Sequence, residues 1–147
     1  MDKDDLIRRA LRFPIDSVIK LYMKHYGVTE DEAHEHELEL KRYLALSALN
    51  RGKRYSLRAP IENLLLTFIV FTVLYSEFCI SVAGGYIHYT PAEGRTNSDV
   101  VKEYSELLTD YELVFNTPPP HIWPRDAGDM GSLQFSSQGP GDNFLGY

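Results

Sequence analysis

The stretch IENLLLTFIVFTVLYSEFC, residues 61–79, constrains the fold more than any other part of the chain. From Leu64 to Tyr75 it is apolar apart from two threonines. Glu62 and Asn63 bound one end, Ser76 and Glu77 the other. A helix that crosses a bilayer needs about 20 apolar residues, so this segment is too short to span. A short helix that is apolar nearly all round has no face to give to water, and other elements must surround it. The expectation is a core helix from Pro60 to about Val82. Pro60 would occupy its first turn, where no N–H is required, and Gly84 and Gly85 would end it.

Other segments carry helix signals of their own. Residues Asp4 to Phe13 read as a short helix with Asp4 and Asp5 at its positive end, interrupted by Pro14. The pattern restarts in IDSVIKLYMKHYG, where Gly27 is placed to cap. Thr29 followed three residues later by Glu32 has the form of a capping box. It opens a long amphipathic helix that Asn50 to Gly52 should end. After the turn AEGRTNSD, with Asn97 or Ser98 as N-cap, Val100, Val101, Tyr104, Leu107, Leu108, Tyr111 and Val114 form the stripe of a last helix. TPPPHIWP carries four prolines, which remove donors and fix φ, so it should lie extended across the bundle. From Arg125 onward the chain is rich in Gly and Ser and predicted to be mobile. The expected fold is all-α: a compact bundle of four to five helices over residues 1–126, followed by a flexible tail, residues 127–147.

With 147 residues, 44% of them hydrophobic, the chain has the material for one core. Its net charge of −6 argues against a nucleic-acid binder working by phosphate neutralisation. The densest basic run, Arg51, Lys53, Arg54 and Arg58, reads as a solvated connection rather than a phosphate cradle. The single cysteine, Cys79, excludes an internal disulfide framework and suits a reducing compartment. The charged start MDKDDLIRRALRF is not a secretory signal, which makes the cytoplasm the expected location.

Candidate chemistry is sparse. His34 and His36 stand two apart and point away from each other on a helix, so the charged run around them reads as a solvated face, not a metal site. Cys79 falls near the negative end of its helix, where the dipole disfavours a thiolate; a buried structural thiol is expected. Gly84-Gly85 lacks any phosphate-loop pattern around it. Among the tyrosines, Tyr75, Tyr86, Tyr89, Tyr104 and Tyr111 could line a pocket, although packing with the hydroxyl at a wet edge is the commoner arrangement.

From Leu38 to Pro124 the chain resembles the glycine-rich-domain-containing protein family. The resemblance rests on TFIVFT (Thr67 to Thr72), Tyr75, Phe78-Cys79, Gly85, Ile87-His88, Pro91 and Ile122 to Pro124, in the family's order, with Glu62 at its acidic position. Where the family has Trp-His, this chain has Leu65 and Leu66. Tyr89 replaces the second histidine of the family's His-His pair. The resemblance implies a polar or metal-binding cluster on one helix face in relatives, of which only Glu62 and His88 remain here. Two ligands are too few for a divalent-metal site, so no metal and no cofactor are expected.

These features point to a small helical accessory or scaffold subunit that binds another protein and lacks catalysis of its own. Phe135, Phe144 and Tyr147 in the tail are the candidate partner-binding residues. The alternative is a metal- or acid/base-dependent enzyme using Glu62, His88 and a tyrosine, Tyr89, with possible ligands from His34, His36 or His121. Neither a nucleic-acid partner nor a membrane span is expected.

Overall fold

The computed structural model describes residues 2–92 and 94–125. These form six helices and no strand: α1 (Lys3–Arg12), α2 (Asp16–Tyr26), α3 (Glu30–Leu49), α4 (Ile61–Val70), α5 (Thr72–Ala83) and α6 (Asn97–Phe115). The all-α class follows from the sequence. The candidate partner-binding residues Phe135, Phe144 and Tyr147 lie outside the described residues.

Helix ends follow local chemistry. Asp2 caps α1 through its carboxylate and the N–H of Asp5. Thr29 and Glu32 form a complete capping box at α3, each side chain accepting from the other residue's backbone N–H, a device worth about 1 kcal/mol. Gly27 and Gly84 end α2 and α5 at φ of 65° and 73°, a left-handed conformation that costs glycine little. The cap of α6 is Thr96, ahead of the expected Asn97 or Ser98 by one or two residues; its hydroxyl accepts from the N–H of Asp99.

The expected single helix from Pro60 to Val82 is two helices. Phe71 leaves the helical region (φ −83°, ψ 70°) and its N–H bonds Phe68 O, three residues back. The two halves bend by 108°. Two causes act together. The run Ile69, Val70, Thr72, Val73 is β-branched on both sides of Phe71, which weakens helix propensity. The bend also brings Phe68 against Tyr75 (5.0 Å between ring centres) and Phe78 (5.5 Å), both edge-on. Among the described residues no single helix is long and apolar enough to cross a membrane.

The hub is α3, which packs against α1, α2, α4, α5 and α6. It is less amphipathic than its sequence suggested. Glu39 to Leu46 are all buried except Arg42, and the alanines Ala33, Ala45 and Ala48 let neighbouring helices approach closely. The proline-rich segment carries no helix, as its prolines require. It turns at Pro120, whose carbonyl accepts from the Trp123 N–H, and buries Trp123 to 1% exposure.

Candidate functional site

Glu62 stands in the first turn of α4, where free N–H groups favour a carboxylate. It is partly buried and accepts a hydrogen bond from the hydroxyl of Tyr89, which arrives on the extended segment after α5. The two residues are 27 apart in sequence, and the helix bend returns the chain to the N-terminal end of α4. Burial pushes the Glu62 carboxyl above its ordinary value, against the opposing pull of Tyr89 and of Arg58. Burial, reinforced by Glu62, drives the Tyr89 hydroxyl far up.

His88 does not join this pair. It is exposed, and its ring packs on Tyr86 at 4.9 Å. Of the sequence candidates, Glu62 and Tyr89 are therefore brought together, while the His88 ring lies against Tyr86. His34 is exposed. His36, expected on a solvated face, is instead buried to 6%, with Nδ1 2.8 Å from the Tyr22 hydroxyl. Burial lowers its imidazole pKa despite Glu35 and Glu32 nearby. The reason is geometric: α2 lies against this side of α3 and covers one histidine of the two. His121 is exposed on the turn before Trp123. Among the described residues no group of three or more His, Cys, Asp or Glu side chains could hold a metal ion.

Behind Glu62 sits Arg58, the one member of the basic run that is buried, at 5% exposure. Its Nη1 donates to Leu57 O, and its guanidinium lies 5.7 Å from the centre of the Tyr104 ring. Its Nε and Nη2, and the Tyr104 hydroxyl, meet no protein partner. Burial lowers the Arg58 pKa, opposed by Glu62.

The sequence did not mark a second buried carboxylate. Glu39, 1% exposed, takes the Tyr111 hydroxyl at 2.6 Å and the Trp123 indole N–H at 2.9 Å on Oε1, and Arg42 at 3.2 Å on Oε2. Three donors from α3, α6 and the proline-rich segment thus converge on one side chain. A third network ties Asp110 to Lys53 (2.9 Å) and Tyr55 (2.6 Å), with Asn50 donating to the same tyrosine. Burial pushes the Asp110 carboxyl up, but these two donors together hold it below its ordinary value. Glu39 carried no sequence signal, its helical neighbours being Glu35, His36, Arg42 and Tyr43, whereas Asp110 stands beside Leu107, Leu113 and Val114.

Cys79 is free, fully buried and raised in pKa by burial, consistent with a packing thiol. Of the five tyrosines weighed as packing or pocket residues, three pack in the core and two line a cavity. Tyr75, Tyr104 and Tyr111 are core residues. Tyr86 and Tyr89 join Tyr43 and Tyr55 around a cavity of about 380 Å³ between the 51–55 and 86–90 segments.

No family model, no curated protein and no solved structure matches this chain.

Proposed function

We propose that this chain is a binding protein, an accessory subunit that docks a partner helix on the outer face of α5. The observation that carries this reading is the exposure of Val73 (73%) and Ile80 (65%) on α5. Val73, Glu77 and Ile80 are spaced i, i+4, i+7 and so share one helix face. The opposite face, Tyr75, Phe78, Cys79 and Val82, is already buried. α5 is thus apolar on two sides and covered on one.

Charge selects the occupant. Glu77, exposed, lies near the midpoint between Val73 and Ile80. In a symmetric pairing of two copies through this face, the two Glu77 carboxylates would meet near the axis and repel. A foreign amphipathic helix with a basic residue between its apolar anchors fits both features. The resemblance to the glycine-rich-domain-containing family is part of this proposal. The shared residues Phe68, Tyr75, Phe78, Cys79 and Trp123 are core residues, which supports a common scaffold without a common reaction.

The test combines three variants. Val73→Asp/Ile80→Asp should unfold at the wild-type midpoint, since both side chains face water, and should lose a protein captured by wild type from its native extract. Glu77→Lys should weaken the same capture, which non-specific apolar adhesion would not show. Retained capture in both variants would end this reading. So would a concentration-dependent dimer in sedimentation that Val73→Asp/Ile80→Asp converts to monomer, because the occupant would then be a second copy.

One observation favours a second reading. The Glu62–Tyr89 pair, with the carboxyl raised and Arg58 behind it, has the makings of an acid/base couple. On that reading Glu62→Gln abolishes function in cells while leaving stability untouched. On the binding reading Glu62→Gln complements fully.

A further inference from the structure

The cavity between the 51–55 and 86–90 segments differs in charge from the rest of the molecule. The chain as a whole carries −6, yet Arg51, Lys53, Arg54 and His88 line this one space together with Tyr43, Tyr55, Tyr86 and Tyr89. Two of those cations are uncommitted: neither guanidinium of Arg51 and Arg54 is hydrogen-bonded or ion-paired among the described residues. Arg51 folds over the backbone at Gly85, where its Nη2 stands 3.3 Å from the place a Cβ would occupy.

Two acids beside the wall are engaged by hydrogen bonds, and a third, Glu106, reaches Lys53 and Tyr55 through its charge. Asp110 accepts from Lys53 and Tyr55, and Glu62 accepts from Tyr89. The positive field of the arginines therefore opens into the cavity rather than ending on a neighbouring carboxylate. Desolvation holds the Tyr43 hydroxyl protonated, its pKa pushed up to about 12, and Tyr89 is likewise held protonated, so the aromatic wall adds no negative charge at neutral pH. Tyr86 is braced from behind by Tyr75, edge-on at 5.3 Å, and from the side by His88.

We infer that this cavity binds a small phosphate monoester attached to a planar ring. Guanidinium forks match phosphate oxygens in geometry as well as in charge, and two free ones suit a dianion. Tyrosine faces and edges accept a flat ring. The volume lies within the range of small-molecule sites. The site is separate from the α5 face, so it does not depend on the docking proposal.

Phenyl phosphate is the probe, with inorganic phosphate and phenol as its two halves. The folded full-length chain is titrated by calorimetry, and its thermal midpoint is followed at each concentration. Phenyl phosphate should bind saturably and raise the midpoint. Inorganic phosphate should bind at least about tenfold more weakly, and phenol should give no saturable signal. Arg51→Ala/Arg54→Ala, both at exposed positions, should keep the fold and lose phenyl phosphate binding by about tenfold or more. Tyr86→Ala should bring phenyl phosphate down to the affinity of inorganic phosphate, leaving that of inorganic phosphate unchanged. Absence of saturable binding to wild type up to about 10 mM phenyl phosphate, or equal binding by Arg51→Ala/Arg54→Ala, would overturn the assignment. Equal affinity for phenyl phosphate and inorganic phosphate would remove the ring from it and so refute the ligand class.

Discussion

Glu39 and Glu62 are both carboxylates drawn into the helical core, and the core treats them differently. Glu39 is 1% exposed and fully engaged: a tyrosine, a tryptophan and an arginine from three parts of the chain share its two oxygens. Glu62 is less buried and has one hydrogen-bond donor, Tyr89, while the cation behind it keeps two N–H positions without a protein partner. A buried charge is tolerated when several hydrogen bonds replace its hydration. Glu39 meets that condition and fastens α3, α6 and the proline-rich segment together. Glu62 meets it in part, and its raised pKa is the symptom. The difference separates a site built for stability from a site whose composition stability alone does not require.

The sharpest way to break this contrast is Glu39→Ala. It strands the Tyr111 O–H and the Trp123 indole N–H in the interior and takes the carboxylate from the partly exposed Arg42, so a loss of about 3–5 kcal/mol is expected, read by urea unfolding. A loss below about 1 kcal/mol would mean that the network is incidental. Next comes Trp123→Phe, which removes the indole donor and some buried ring area. About 1–3 kcal/mol should go, with the Glu39 oxygen still held by Tyr111. Trp123 is the chain's sole tryptophan, so its fluorescence should shift to the red in Glu39→Ala before global unfolding if the segment is released.

Changes at the other carboxylate should cost much less. Arg58→Met removes a buried cation with unmet donors and replaces it with an apolar chain of similar length. Stability should rise or stay within about 1 kcal/mol. A loss of several kcal/mol would show that Arg58 is as engaged as Glu39, and the contrast would disappear. Glu62→Gln keeps an oxygen for the Tyr89 hydroxyl and should also stay within about 1 kcal/mol.

The smallest effect expected is a pH dependence at His36. Its pKa in the folded protein lies below the ordinary value near 6.5. Between those two values the unfolded chain binds a proton that the folded protein does not, so stability falls as pH drops below about 6.5 and is level above it. His36→Gln should flatten that limb of the stability–pH curve. An unchanged limb would place the titration elsewhere. Glu62 has the opposite sign: with its pKa raised on folding, it favours the folded state at low pH and loses that advantage as pH rises through its folded value.

What the sequence determined by itself is local. The helix class, the capping box of Thr29 and Glu32, the glycine stops at Gly27 and Gly84, the burial of Cys79 and the short, non-spanning character of residues 61–79 all depend on neighbours within a few positions. Backbone hydrogen bonding and side-chain periodicity act over that range. Tertiary structure decided the rest. It broke the apolar helix at Phe71, where β-branched residues weaken the helix and core packing of Phe68 on Tyr75 and Phe78 rewards a bend. It buried His36 under α2 and left His34 in water, a choice two positions of the same helix cannot make from composition. It joined Glu62 to Tyr89, and Glu39 to Trp123 across 84 residues. It also turned three cations of a loop toward four tyrosines. Such pairings follow from which helix faces meet, and no short-range pattern encodes that meeting.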